Sequence, residues 1–301
     1  MNVLVTGAAG YIGQHLCMAL LRSGYQVRGF SRSEQPAHLS GVEWVIGDLT
    51  DKGPIDRVVA GCQMVVHLAC LPLSESRKNP LRAEVVNVEG TMRVLEAAAN
   101  IGVDKFIYTS TGQVYGGQAS LPNREDQCVY PDTAYAISKL HGEKWCDYYA
   151  KQYHIPVTIL RLFNVYGAAV AGTPRSTIDS VFINEIQQGR HPTISGSPES
   201  GRDFIYFSDV LSALLLAIKA PVIPGPINIG TGILTTYSDL ARTAGRILGR
   251  EDLEPRHIET GEPPIRFQAD VTSAKQDLGF DAKVSLEDGL KIQCNSRSDQ
   301  S

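Results

Sequence analysis

Asn2-Val-Leu-Val-Thr-Gly7-Ala-Ala-Gly10-Tyr-Ile-Gly13 opens this chain, and its reading decides the fold. An apolar run of strand length leads into three glycines spaced three apart, and Gln14 to Arg22 then carries apolar residues at helical spacing. Gly7 suits a turn that needs unusual backbone angles. Gly10 lets a pyrophosphate approach the backbone, and Gly13 lets the helix pack close against the strand. The amides at the helix start, from Tyr11 and Ile12 onward, then face the phosphates. Tight turns use glycine everywhere, so the cluster alone says little. Strand, turn and helix in this order point to dinucleotide binding.

Outward from there, Tyr25-Gln-Val-Arg-Gly-Phe30 reads as the next strand and ends in Ser31-Arg32. An acidic residue at that point normally accepts hydrogen bonds from the adenosine ribose of NAD. A small hydroxyl followed by a guanidinium instead accommodates a 2′-phosphate, which leans the cofactor toward NADP, with NAD as the alternative. Arg32 as a solvated loop residue is the competing account. Val42 to Leu49 is a further strand, and its Asp48 either holds the adenine amino group or caps a following helix. In Thr133-Ala-Tyr-Ala-Ile-Ser-Lys139, Tyr135 and Lys139 stand one turn apart on one helix face. An ammonium within about 5 Å favours the phenolate, so the pair suits acid/base work. YxxxK is also common by chance as a surface lysine on an amphipathic helix, and its context carries the weight.

Strands and helices alternate from Met1 to about Val165, which predicts an α/β, Rossmann-like doubly wound parallel sheet. The expected strands are 3–5, 26–30, 44–46, 64–68, 106–109 and 157–161, with helices at 13–23, 82–101 and 133–153. From Gly167 the glycine, proline and polar content rises through Ser200, predicting a smaller C-terminal substrate-binding lobe of loops and short helices. Pro226-Ile-Asn-Ile-Gly230 reads as a strand that returns to the first lobe. The expected division is therefore interleaved: residues 1–165 with a returning segment near 202–230, and 166–301 mainly for substrate. The polar end, Cys294 to Ser301, is expected to fray.

The ordered motifs Thr6-Gly-Ala-Ala-Gly-Tyr-Ile-Gly13, Gly47-Asp48, His67-Leu-Ala-Cys70, Asn87-Val-Glu-Gly-Thr91, Thr109-Ser-Thr-Gly-Gln-Val-Tyr-Gly116, Tyr135 with Lys139, Arg161-Leu-Phe-Asn-Val-Tyr-Gly167, Arg202 to Asp209 and Asn228-Ile-Gly-Thr-Gly232 span almost the whole chain. In these the chain resembles the extended short-chain dehydrogenase/reductases, in the nucleotide-sugar epimerase/dehydratase branch. The resemblance implies Tyr135 as catalytic acid/base, and Lys139 holding the nicotinamide ribose while lowering the pKa of the phenol. It implies Thr111 against the reacting sugar oxygen, although a strand-end hydroxyl capping backbone reads the same. Leu49, Leu68 and Ala69 are expected beside the cofactor. Asn164 and Arg202 are expected on the substrate, the latter on its diphosphate, against the alternatives of a turn residue and an ion pair with Asp203. Asn87 lies near the active site in such enzymes, or is a satisfied buried amide. The helices 82–101 and 133–153 form a dimer contact in the family, implying a homodimer, and an internal packing face would look alike.

Departures narrow the chemistry. The 4,6-dehydratases carry an acidic pair directly after the Thr111 position, and the decarboxylases usually keep a glutamate there; this chain has Gly112-Gln113. That disfavours both, leaving C4 epimerisation through a 4-keto sugar first and NADPH-dependent 4-ketosugar reduction second. A catalytically silent NADP-binding scaffold or sensor is a third class. Thr260 stands where the family often has an arginine, and Arg266 or Arg256 is the expected replacement contact.

With 28 basic and 32 acidic residues in 301, the formal charge of −4 argues against nucleic acid as a partner. The apolar stretch Val210 to Ile218 is too short to cross a bilayer, and the expectation is a cytoplasmic protein without a membrane partner. Six scattered cysteines read as reduced packing residues, and no metal site is expected.

Overall fold

The computed structural model describes residues 1–51, 53, 55–167 and 177–298. Among these, seven strands form one parallel sheet, six of which are β1 (Asn2–Thr6), β2 (Gln26–Ser31), β3 (Glu43–Ile46), β4 (Met64–His67), β5 (Lys105–Thr111) and β6 (Val157–Leu162). The seventh, Pro226–Ile229, pairs outside β6, so the order runs Pro226–Ile229, β6, β5, β4, β1, β2, β3. Val3 registers with Val27 on one side and Met64 on the other. The order reverses between β1 and β4, the place where doubly wound sheets open a crevice at the carboxyl ends of their strands.

Both sheet faces are covered, and the sequence of each strand shows why. Val3, Val5, Val66, Ile107 and Leu160 pack on one side, while their neighbours Leu4, Val65, Phe106, Tyr108 and Ile159 pack on the other. An alternating strand whose odd and even residues are all apolar has no water-facing side, which is the signature of a central parallel strand. The helix Phe207–Lys219 covers the first face and packs against α1 (Tyr11–Arg22). Lys105 donates to the carbonyls of Ala217, Ile218 and Ala220, so a buried ammonium satisfies the end of that helix where its dipole is negative.

The expected 82–101 helix is a composite. A short helix, Pro80–Ala83, passes into a π-turn at Glu84–Glu89 and then into Gly90–Ile101. The wide turn buries Asn87, and Gly90 permits the close approach of Leu49, whose Cβ would lie 2.9 Å from any added Cβ. The helix Ala134–Tyr153 starts at Thr133, whose hydroxyl accepts from the amide of Ala136. Beyond β6, residues 168–176 of the expected loop-rich stretch lie outside the described residues. Leu286–Ser298 forms a helix, so the expected fraying does not extend to residues 294–298; Leu290 and Cys294 anchor one face of it in a core with Phe182 and Tyr206. Among the described residues no helix is long and apolar enough to cross a membrane.

Candidate active site

A cleft of about 690 Å³ opens over the carboxyl ends of β1 and β4. Its floor is the glycine turn. Gly7 has φ +69°, and a Cβ there would sit 2.8 Å from the amide nitrogen of Ala69. A Cβ at Gly13 would collide with the carbonyl of Gly7, so both positions exclude side chains on steric grounds. Helix α1 begins behind this turn without a side-chain cap and without an acidic residue in its first turn. Its positive dipole end therefore remains available to an anion. Tyr11, Ile12 and Gly13 line the cleft with Gly7 and Gly10, a cradle that fits a pyrophosphate.

At one end the wall is Ser31, Arg32, Asp48 and Leu49. Asp48 accepts from the amide and hydroxyl of Thr50 at 2.9 and 3.0 Å, a local turn rather than the cap of the next helix, which starts at Ile55. Its other oxygen faces the Arg32 guanidinium at 4.0 Å. Burial works to raise the Asp48 pKa, but the Thr50 bonds and the Arg32 charge outweigh it and hold it below the usual carboxylate range.

At the other end, past Leu68 and Ala69, stand Thr111, Tyr135, Lys139 and Asn164. Thr111 ends β5, and its hydroxyl accepts from the amide of Gln113, so it also serves as a cap. Tyr135 and Lys139 project from the first turns of Ala134–Tyr153. That helix approaches the sheet closely because Gly142 leaves room for the Tyr108 hydroxyl, which donates to the Lys139 carbonyl at 3.2 Å. Lys139 is buried, with its ammonium 4.3 Å from the centre of the Tyr108 ring. Desolvation lowers its pKa.

The phenol of Tyr135 departs from the expectation of an acidified tyrosine. Burial pushes its pKa well above the ordinary value, and the Cys70 thiol hydrogen-bonded to it pushes the same way. The charge of Lys139 is felt instead by His67, which burial first and that ammonium second hold neutral, at a pKa of about 3. The His67 ring lies in a chain of buried bonds. Thr91 donates to the Asn87 carbonyl at 2.6 Å and so accepts from His67 Nε2 at 3.0 Å; His67 Nδ1 then accepts from Thr6 at 2.8 Å. These bonds assign the tautomer. Asn87 itself accepts from the amide of Leu71 and donates to the Leu71 carbonyl and the Ser138 hydroxyl. Ser138 in turn donates to the Tyr135 carbonyl. The buried amide thus ties the cleft wall at 68–71 to the turn that carries Tyr135.

Arg202 also lines the cleft, with its guanidinium 4.7 Å from the Phe267 ring centre and 5.6 Å from that of Tyr237. It donates to the carbonyls of Gly201 and Ile265. Asp203 does not pair with it: that carboxylate is buried and accepts from Thr231, Gly232 and Ala269. Arg266 is exposed on the short strand Arg266–Phe267 and lies outside the cleft lining, where Phe267 turns inward instead; Arg256 is exposed on Arg256–Ile258. The cysteine reading misses Cys70, which lines the cleft at Tyr135. Its place in His67-Leu-Ala-Cys70, directly after the end of β4, was the available signal.

The model of the NAD dependent epimerase/dehydratase family matches residues 3–230. A UDP-glucose 4-epimerase of Mycolicibacterium smegmatis is 31% identical over 303 residues, covering 96% of each chain. Among solved structures, the UDP-glucose 4-epimerase of Thermotoga maritima with UDP-glucose superposes with a TM-score of 0.92 at 31% identity, covering 100% of both chains. The UDP-glucuronic acid 4-epimerase of Bacillus cereus in complex with UDP-glucuronic acid and NAD gives 0.89 at 31% identity, again with 100% of both covered.

Proposed function

The chain belongs to the NAD dependent epimerase/dehydratase family, and on that premise we propose that it inverts C4 of a nucleotide-diphosphate sugar through a transient 4-keto intermediate. It is an enzyme acting on nucleotide sugars, as its relatives are. One observation carries the finer reading: Tyr135, Lys139 and Thr111 share a single cleft with the glycine turn at Gly7 and Gly10, and no carboxylate follows Thr111.

The cradle fits a nicotinamide dinucleotide, with Gly7, Gly10 and the α1 amides on its pyrophosphate and Lys139 toward its ribose. When bound, that cofactor would supply hydride exchange with C4. Tyr135 accepts the C4 hydroxyl proton during oxidation and returns it on reduction, while Thr111 holds the reacting oxygen. Burial holds the phenol pKa up, so Tyr135 must give up its own proton before it can take one from the C4 hydroxyl. Asn164 orients the sugar, and Arg202, freed from Asp203, meets the diphosphate. The residues from 166 onward supply most of the substrate lobe.

Dehydration is disfavoured sterically as well as chemically. A Cβ on Gly112 would meet the Phe163 ring at 3.0 Å, so an acid cannot be placed there without moving that ring. One observation favours the second reading, reduction of a 4-keto sugar by NADPH: Ser31 and Arg32 offer a hydroxyl and a guanidinium where a ribose-binding carboxylate would stand. The reading includes a cytoplasmic homodimer through Gly90–Ile101 and Ala134–Tyr153, supported by the exposed Ile101, Tyr148 and Tyr153.

Incubation with UDP-, GDP-, CDP- and dTDP-sugars, with and without NADPH, tests the proposal. Inversion at C4 without net cofactor consumption is expected. Stoichiometric NADPH oxidation establishes the reductase instead, and tight cofactor binding with no turnover on any sugar overturns both.

A further inference from the structure

Beneath the cleft lies a buried ion pair that no step of this chemistry uses. Arg161 and Glu143 have side chains 5% and 3% exposed. The guanidinium grips the carboxylate with two bonds, Nη2 to Oε2 at 2.8 Å and Nε to Oε1 at 3.0 Å. Ser110 donates to the same Oε1 at 2.5 Å. On the far side Arg161 Nη1 donates to the Tyr115 hydroxyl at 2.9 Å, and Tyr115 donates to Asn228 Oδ1 at 2.8 Å. Asn228 continues inward, donating to the Asn123 carbonyl.

Four members of this network sit beside groups of the proposed reaction. Glu143 is one helical turn past Lys139 on Ala134–Tyr153. Ser110 immediately precedes Thr111 at the end of β5, Tyr115 closes the turn Gly112–Tyr115 that follows it, and Arg161 lies near the end of β6, just ahead of Asn164. Three separately folded segments, carrying the phenol, the threonine and the asparagine, therefore meet on one planar fork.

Stability does not require such a pair. Desolvating two charges consumes most of their attraction, and apolar residues of similar volume are often as stable or more so. What an apolar pair lacks is direction: a guanidinium held on both sides fixes the angle and register of the elements around it. We propose that Glu143 and Arg161 are positioning residues that set the Tyr135 hydroxyl relative to Thr111. The inference rests on the reading of Tyr135 and Thr111 as the reacting groups.

The test replaces the pair by apolar residues, Glu143→Leu with Arg161→Met, in the full-length enzyme. Thermal unfolding is expected near the wild-type temperature, with kcat down about 100-fold, the loss that an ångström of misplacement causes, and with KM and cofactor affinity little changed. Crystals of the double variant should place the Tyr135 and Thr111 hydroxyls about 1 Å from their present separation. Wild-type kcat and an unmoved separation in the folded double variant overturn the proposal. Tyr115→Phe removes only the hydroxyl between Arg161 and Asn228, and covers the case in which the double variant does not fold. It breaks two hydrogen bonds and is expected to lower kcat about 3- to 10-fold at constant KM, and unchanged kcat there also overturns the proposal. Tyr135→Phe is assayed beside them. If it keeps turnover the reading of the site falls and takes the inference with it, whereas a dead Tyr135→Phe with a fully active double variant refutes the positioning role alone.

Discussion

Arg32 and Asp48 face each other at 4.0 Å with 63% and 24% of their side chains exposed, whereas Arg161 and Glu143 meet at 2.8 Å with 5% and 3%. Both are arginine–carboxylate pairs in or under one cleft, and burial separates their uses. The exposed pair is screened by salt and contributes at most about 1 kcal/mol, so either partner can be surrendered to a ligand. The buried pair cannot let go of either charge without leaving the other stranded. On the proposed reading, one end of the cleft is a surface for reading a cofactor, and the other a frame that holds the reacting groups still.

The largest effect falls at the framed end. Tyr135→Phe should lower kcat by about 10³-fold, within the usual range for a positioned acid/base, while calorimetric titration finds cofactor affinity unchanged. Equal losses in both quantities would assign the phenol to binding and erase the contrast between the two ends. Next comes stability. Arg161→Ala should cost about 3–5 kcal/mol in denaturant unfolding, against less than about 1 kcal/mol for Arg32→Ala. Similar costs for the two variants would show that burial does not divide them.

A third measurement probes the frame through pH. Folding holds His67 neutral at about 3, whereas the unfolded chain protonates it near its ordinary 6.5. Between those values the unfolded state binds more protons, so stability must fall as pH drops from 6.5 toward 3, by up to a few kcal/mol. His67→Asn should flatten that decline in acid unfolding curves; an unchanged slope assigns the loss to other groups. The smallest effect belongs to the exposed end. Arg32→Ala should weaken NADP about 10-fold and NAD less than 2-fold, and added salt should shrink the difference, in keeping with one charge-assisted bond to phosphate. Equal weakening of both cofactors removes the case for 2′-phosphate recognition.

Much of this molecule was legible before any coordinates. The glycine turn, the strands and the helix carrying Tyr135 are local patterns, and each forms within a few residues of where its sequence places it: β1 at Asn2–Thr6, β2 at Gln26–Ser31, the helix carrying Tyr135 at Ala134–Tyr153. Apolar periodicity and steric need at Gly7 and Gly13 act over short stretches, so they leave a readable trace. The π-turn at Glu84–Glu89 left none, because its width answers to the partners of Asn87 on Leu71 and Ser138, which are 16 and 51 residues away.

By itself the sequence determined the doubly wound sheet, the location of its crevice and many of the groups lining it, since these follow from residue type and spacing along the chain. Tertiary structure alone decided the electrostatic state of those groups. It sank Tyr135 beside the Cys70 thiol, turned Lys139 over the Tyr108 ring, left Arg266 in solvent and drew Glu143 onto Arg161. The physical reason is that desolvation and hydrogen bonding depend on what surrounds a group in space, and those surroundings are assembled from distant parts of the chain.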